Sequence, residues 1–142
     1  MVDALCRARG WLQPTGYLID LRPAELVPTV EIGNPHTNYA LAGGLIVDDE
    51  RRRRHAAADV ALATVLKRKL FHLEAERQFS FLRYADSARE LQEYIATRWQ
   101  HTRLDDETRD RADAMLRNQP VARLWLRERV GIRSLRITSP PV

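Results

Sequence analysis

Two periods of apolar and polar positions alternate along the chain. From Val2 to Leu12, residues Ala4, Leu5, Ala8 and Leu12 recur at helical spacing, and Asp3 is placed to cap the start. Trp11 at the end of this helix is expected to pack on a sheet. Pro14 cannot continue a helix and Gly16 allows a tight exit. Tyr17 to Leu21 follows as an apolar run of strand length, broken by Asp20 and closed by Pro23. Its near-continuous apolarity predicts a strand covered on both faces.

The stretch from Pro23 to Gly44 is rich in proline and glycine. Val27 to Ile32 and Tyr39 to Ala42 are expected to pair as short strands across Gly33-Asn34-Pro35-His36, and Leu45-Ile46-Val47 is a third apolar run. Together they predict a small β excursion on the rim of a sheet. A long helix starts behind Asp48-Asp49-Glu50 and runs to about Leu70, with Ala58, Leu62, Val65, Leu66 and Lys69 spaced to bury one side. His72 to Tyr84 alternates, with Leu73, Ala75, Phe79 and Phe81 on the parity expected to be buried. Arg77 breaks that parity, which points to a bulge or an edge position.

Ser87 with Glu90 matches a capping box, opening a helix with a Leu91, Tyr94, Ile95 and Trp99 stripe. Asp105 caps a second helix that buries Ala112, Met115 and Leu116 and ends at Pro120. Val121 to Ile137 is a last long strand. Ala122, Leu124, Leu126, Val130 and Ile132 take one parity; Arg123, Trp125, Arg127, Arg129 and Arg133 take the other. Gly131 suggests a bulge or bend.

Composition changes this picture little. The 142 residues suit one domain, and 44% apolar residues suffice for a core. The net charge of +4 permits acidic partners without requiring them. Cys6 is the only cysteine, so no intramolecular disulfide forms; it is read as a packing residue of the first helix. No apolar stretch reaches membrane-span length and no signal peptide opens the chain, so a cytoplasmic protein is expected, with no membrane partner. The run Arg51-Arg52-Arg53-Arg54 follows three acids and lacks interleaved aromatics. A solvated helix face accounts for it better than a phosphate clamp. His72 has no second ligand at metal spacing, and no metal site or catalytic residue is predicted.

A helix followed by Leu12-Gln13-Pro14-Thr15-Gly16 and the strand from Tyr17 resembles the Leu-x-Pro-Gly-Gly turn before the fifth strand of class I S-adenosylmethionine-dependent methyltransferases. Gly16 matches the second glycine, and Thr15 replaces the first. The order helix, turn, strand, rim excursion, long helix, strand, helices and long terminal strand is similar to the C-terminal half of that fold. Phe79 to Ser87 looks like its sixth strand leading into a substrate-side helical insertion. The resemblance covers nearly the whole chain, residues 1–142 as a single domain. It implies an α/β fold: a partial Rossmann-like methyltransferase sheet, mixed, with an antiparallel last strand, flanked by helices and carrying the small β excursion.

The family's glycine-rich turn after its first strand and the acid ending its second have no counterpart; Gly43-Gly44 precede an apolar run instead of a helix. The expectation is therefore a methyltransferase-like domain without its own S-adenosylmethionine-binding half. It would be inactive alone, binding no cofactor by itself, or act as a fragment or subunit that uses S-adenosylmethionine once completed. Its substrate pocket would lie beyond the C-terminal end of the Tyr17 strand, with Asp20 and Arg22, joined from the rim by Tyr39 and Tyr84. The fourth-strand position beside residues 17–21 stands open, so a homo-oligomer or a second chain is expected there. Two other functions remain open: a non-catalytic dimerisation module, and an anion or nucleic-acid binder using Arg123, Arg127, Arg129 and Arg133. Nucleic acid is the less expected partner.

Overall fold

The computed structural model describes residues 1–34, 38–119 and 121–138. His36, in the expected hairpin loop, and Pro120 lie outside them. The described residues form four helices, α1 (Val2–Trp11), α2 (Asp49–Lys67), α3 (Ala88–Arg98) and α4 (Asp106–Asn118). The strands are β1 (Tyr17–Pro23), β2 (Thr29–Gly33), β3 (Ala40–Gly44), β4 (Ile46–Val47), β5 (Phe71–Ala85), β6 (Thr102–Arg103) and β7 (Arg123–Ile137). The fold is α/β with a mostly antiparallel five-stranded sheet in the order β1-β7-β2-β3, with β5 also on β7. The chain divides into two compact units: Met1–Ala24, Arg53–Phe79 and the stretch from Val130 form unit 1, and Glu25–Arg52 with Ser80–Arg129 form unit 2.

In unit 1, β1 pairs antiparallel with β7 from Tyr17↔Arg136 to Pro23↔Val130. On β5, Glu74 meets Arg136 and Glu76 meets Arg133, so contacts run in opposite directions along β5 and β7. Arg133 reaches Asp20 of β1 as well as Glu76 of β5, which sets β7 between them. Leu62, Val65, Phe71 and Leu135 form the buried core, with Val2, Leu5, Leu12, Leu18 and Ile137 packed against it.

Several expectations change here. β1 is not covered on both faces: Tyr17, Ile19 and Leu21 are exposed, because only Leu18 and its parity face helices α1 and α2. Trp11 is 83% exposed, and Cys6 is exposed too, because α1 meets the core through Val2 and Leu5, followed by Leu12 just beyond its end. α2 ends at Lys67, before a turn in which Lys69 takes φ 54°.

In unit 2, β2 pairs with Arg123–Arg127 of β7 and with β3, both antiparallel. The excursion thus joins the main sheet, while β4 leaves it and pairs with β6. The ladder's irregularity falls at Val30/Glu31, and β7 keeps an unbroken register through Gly131. Ser87 caps α3 through Glu90 N at 3.1 Å, and Asp105 caps α4 through Thr108 N at 2.6 Å. Asp48 caps α2 through Arg51 N at 2.9 Å; that bond, with the His101 ring at 2.8 Å, holds its carboxyl below the usual range.

Val30, Ile32, Ala42, Leu91, Ile95, Leu124 and Leu126 centre the core of this unit, with Tyr94 and Trp99 against it. Thr108 of α4 packs onto Gly43, where a Cβ would come within 2.8 Å of its Cγ2. A larger residue at that position would push the helix off the sheet.

The long strands depart furthest from simple alternation. β7 buries even positions 124 and 126 but odd positions 131 and 135, because each unit's core draws on it separately. β5 buries only Phe71 and Ala85; every residue from His72 to Tyr84 is exposed, including the Leu73, Ala75, Phe79 and Phe81 parity expected inside. No helix among the described residues is long and apolar enough to cross a membrane.

Candidate functional site

Asp20 and Arg22 stand two residues apart on β1, so they share a parity, and that parity is the half-buried one. Asp20 Oδ2 accepts from Arg22 Nε at 3.0 Å and from Arg133 Nη1 at 3.2 Å. Arg133 also donates through Nε to Glu76 at 2.7 Å. Burial works against the Arg133 charge, but its bonds to Glu76 and Asp20 outweigh that and raise its pKa. Arg22 Nη1 lies 3.0 Å from Asp59 Oδ1 without hydrogen-bond geometry, and its buried Nη2 has no hydrogen-bond partner among the described residues. His55 completes the chain of contacts, Nδ1 at 3.3 Å from Asp59 and Nε2 at 2.9 Å from the Pro23 carbonyl.

A cavity of about 170 Å³ opens on this cluster, with Asp20 and Arg22 on one wall and Leu5, Leu18, Ala58 and Leu62 on others. A buried guanidinium nitrogen without an acceptor is costly. The cavity therefore suits a small ligand with an apolar body and one hydrogen-bond acceptor. The cluster pairs its cations with acids throughout, so it is a polar anchor and not a site of strong positive potential. Asp59 and His55 were not foreseen as site residues; their spacing of four on α2 was the signal in the sequence.

Tyr39 and Tyr84 come together in unit 2, each against Trp125 with ring centroids 5.8 Å apart. Trp125 is oriented by its indole N–H, which donates to the Gly33 carbonyl at 2.9 Å. Arg123 lies over the Tyr84 ring and Arg127 over the Tyr39 ring, extending the aromatic band at both ends. The four expected site residues thus form two pairs, Asp20 with Arg22 in unit 1 and Tyr39 with Tyr84 in unit 2.

The arginine row is paired with acids along its length. Arg127 grips Glu31 with Nε at 2.9 Å and Nη2 at 2.8 Å, which raises its pKa. Arg133 holds Asp20 and Glu76, Arg129 lies 3.7 Å from Glu25, and Arg123 lies 4.0 Å from Asp86. Arg51, expected on a solvated face, instead reaches Thr102 at 2.8 Å, the Trp99 ring and Glu128 at 3.8 Å. Among the described residues no group of His, Cys, Asp and Glu is arranged to hold a metal ion.

No protein family, no curated protein and no solved structure matches this chain.

Proposed function

We propose that residues 1–142 act as the C-terminal half of a class I methyltransferase-like fold, completed by a cofactor-binding half that pairs with the free edge of β1. The observation that carries this is the strand arrangement of unit 1. β7 lies between β1 and β5 and runs antiparallel to β1, and α2 precedes β5 in sequence, with β2, β3 and β4 between β1 and α2. That arrangement is similar to the fifth, seventh and sixth strands of the family. β1 adds a second support, because it pairs with β7 alone among the described residues while Ile19 is 54% exposed. An apolar edge of this kind favours strand addition.

Within that assembly S-adenosylmethionine would be held by the completing half. Arg22 and Asp20 would anchor the substrate in the unit 1 cavity. The acid pairing of the arginine row weighs against a phosphate-binding function.

A photo-cross-linker placed at Ile19 tests this in source cells. The expected product contains a polypeptide segment that binds S-adenosylmethionine, whereas calorimetric titration of residues 1–142 alone shows no binding. Micromolar stoichiometric binding by residues 1–142, or cross-linking only to segments without affinity for the cofactor, overturns the proposal.

A further inference from the structure

β5 carries a second open edge, with a different shape. Among the described residues β7 is its only strand partner. In unit 2, residues Phe81 to Ala85 of that strand and Glu90, Leu91 and Tyr94 of α3 bound an open groove of about 350 Å³. The groove therefore lies along a strand, with a helix as its second wall. Ala85 packs into the core with Leu91, and the Arg83 guanidinium lies 3.8 Å from the centre of the Tyr94 ring, so the odd positions of this segment face α3. Phe81 and Tyr84 remain 53% and 52% exposed, and Leu82 is exposed as well. The segment Ser80–Ala85 has no proline, glycine or lysine, the residues that commonly guard an edge.

We propose that two copies of this chain join antiparallel through β5, with the twofold axis at Leu82. It is independent of the β1 assignment above. A twofold axis perpendicular to the sheet sets residues of equal parity opposite each other. With the axis at Leu82, Leu82 faces Leu82 of the second copy, and Ser80 faces Tyr84. Phe81 faces Arg83 on both sides of the axis, giving two symmetric cation–ring contacts. No like charges stand directly opposite.

Axes at Ser80 and Phe79 are poorer. An axis at Ser80 sets Arg77 against Arg83, a like-charge pair. An axis at Phe79 sets Arg77 against Phe81 and Ala75 against Arg83, and leaves no aromatic side chain of the second copy for the groove. The Leu82 axis brings Phe81 of the second copy beside Arg83 and into the groove against Leu91 and Tyr94. A second copy also closes the assembly: isologous pairing covers both edges at once, while an added foreign strand leaves a new edge exposed.

The test uses the 142-residue chain. Sedimentation over a wide concentration range is expected to show a monomer–dimer equilibrium. Phe81→Arg sets arginine against Arg83 twice and weakens dimerisation by roughly tenfold or more. Phe81→Glu offers Arg83 a carboxylate and keeps the dimer. Position 81 is exposed, so both variants retain the wild-type circular dichroism spectrum. In a Cys6→Ser background, Leu82→Cys cross-links into a disulfide dimer under mild oxidation, and Ser80→Cys does not. A single monomeric species at all concentrations, equal weakening by both Phe81 variants, or cross-linking at position 80 in place of 82 overturns the proposal.

Discussion

Unit 2 packs a sheet with two capped helices around Val30, Ile32, Leu91, Ile95, Leu124 and Leu126, all at most 2% exposed. Unit 1 has Leu62, Val65, Phe71 and Leu135 as its buried core and leaves Trp11, Ile19, Leu21, Val60 and Leu73 exposed. Both contain helices and strands of comparable length, so propensity does not separate them. Both units leave apolar strand side chains uncovered, Leu41 on β3 and Phe81, Leu82 and Tyr84 on β5 in unit 2 among them, but unit 2 encloses the larger buried core. The uncovered side chains of unit 1 lie largely on β1 and β5, where added chain would cover them. Isolated apolar side chains on a surface need no explanation, but aligned ones along a strand edge do.

The comparison is broken most strongly by cavities. Leu124→Ala in unit 2 is expected to cost toward the upper end of about 2–5 kcal/mol, since it is enclosed on all sides. Leu135→Ala, in a thinner core freer to collapse, is expected near the lower end of that range. Urea unfolding of both variants checks this, and equal losses would show the cores to be equally rigid. Next, Gly43→Ala forces a methyl group onto Thr108 and is expected to cost about 1–3 kcal/mol, because backbone and helix must separate. The same substitution at Gly10, with open space around it, is expected to have no such packing penalty. Thermal unfolding of the two variants separates steric overlap from a general glycine effect.

A smaller loss, about 1 kcal/mol, is expected for Asp105→Ala, which removes the carboxylate that accepts from Thr108 N. Hydrogen exchange at the first amides of α4 should accelerate while β7 stays protected. Uniform exchange throughout would show that the cap holds more than its own helix.

The smallest effect is a pH dependence. Burial raises the Glu128 carboxyl pKa, against the attraction of Arg51 at 3.8 Å. The folded chain therefore holds that proton in a window where the unfolded chain has released it. Stability falls as pH climbs from the ordinary glutamate value, about 4.3, through the raised folded one. Glu128→Gln is expected to gain stability at neutral pH relative to wild type and to lose that advantage toward pH 4. A gain that persists unchanged under acid would assign the effect to packing.

Much of this architecture was legible in the residues. Ser87 and Asp105 announced two helix starts, because a capping side chain acts over three residues and needs no tertiary context. The strand after Pro14-Thr15-Gly16 and the pairing of β2 with β3 were equally local signals. What periodicity could not reveal was which parity meets a core. β7 carries apolar residues on one parity through Ile132, yet Leu135 on the other is fully buried, since two separate cores use one strand. β5 alternates like a half-buried strand and is exposed along its middle, since alternation records what a strand can pack against and not what lies beside it. At the site, Asp20 beside Arg22 followed from strand period, and His55 with Asp59 from helix period, whereas the meeting of the two pairs joins positions more than thirty apart, beyond any local rule.

β7 supplies Leu124 and Leu126 to one core and Leu135 to the other. It is also the last of these seven strands to be synthesised. A nascent chain that has emerged only as far as α4 holds all four described helices yet can close neither core. β1, β2 and β5 then wait with unpaired edges until residues 123–137 arrive. Such long-range closure is slow compared with helix formation. Synthesis paused before Arg123 would accordingly leave a chaperone-dependent, aggregation-prone intermediate, and release of the final strand would bring both halves to the native state together.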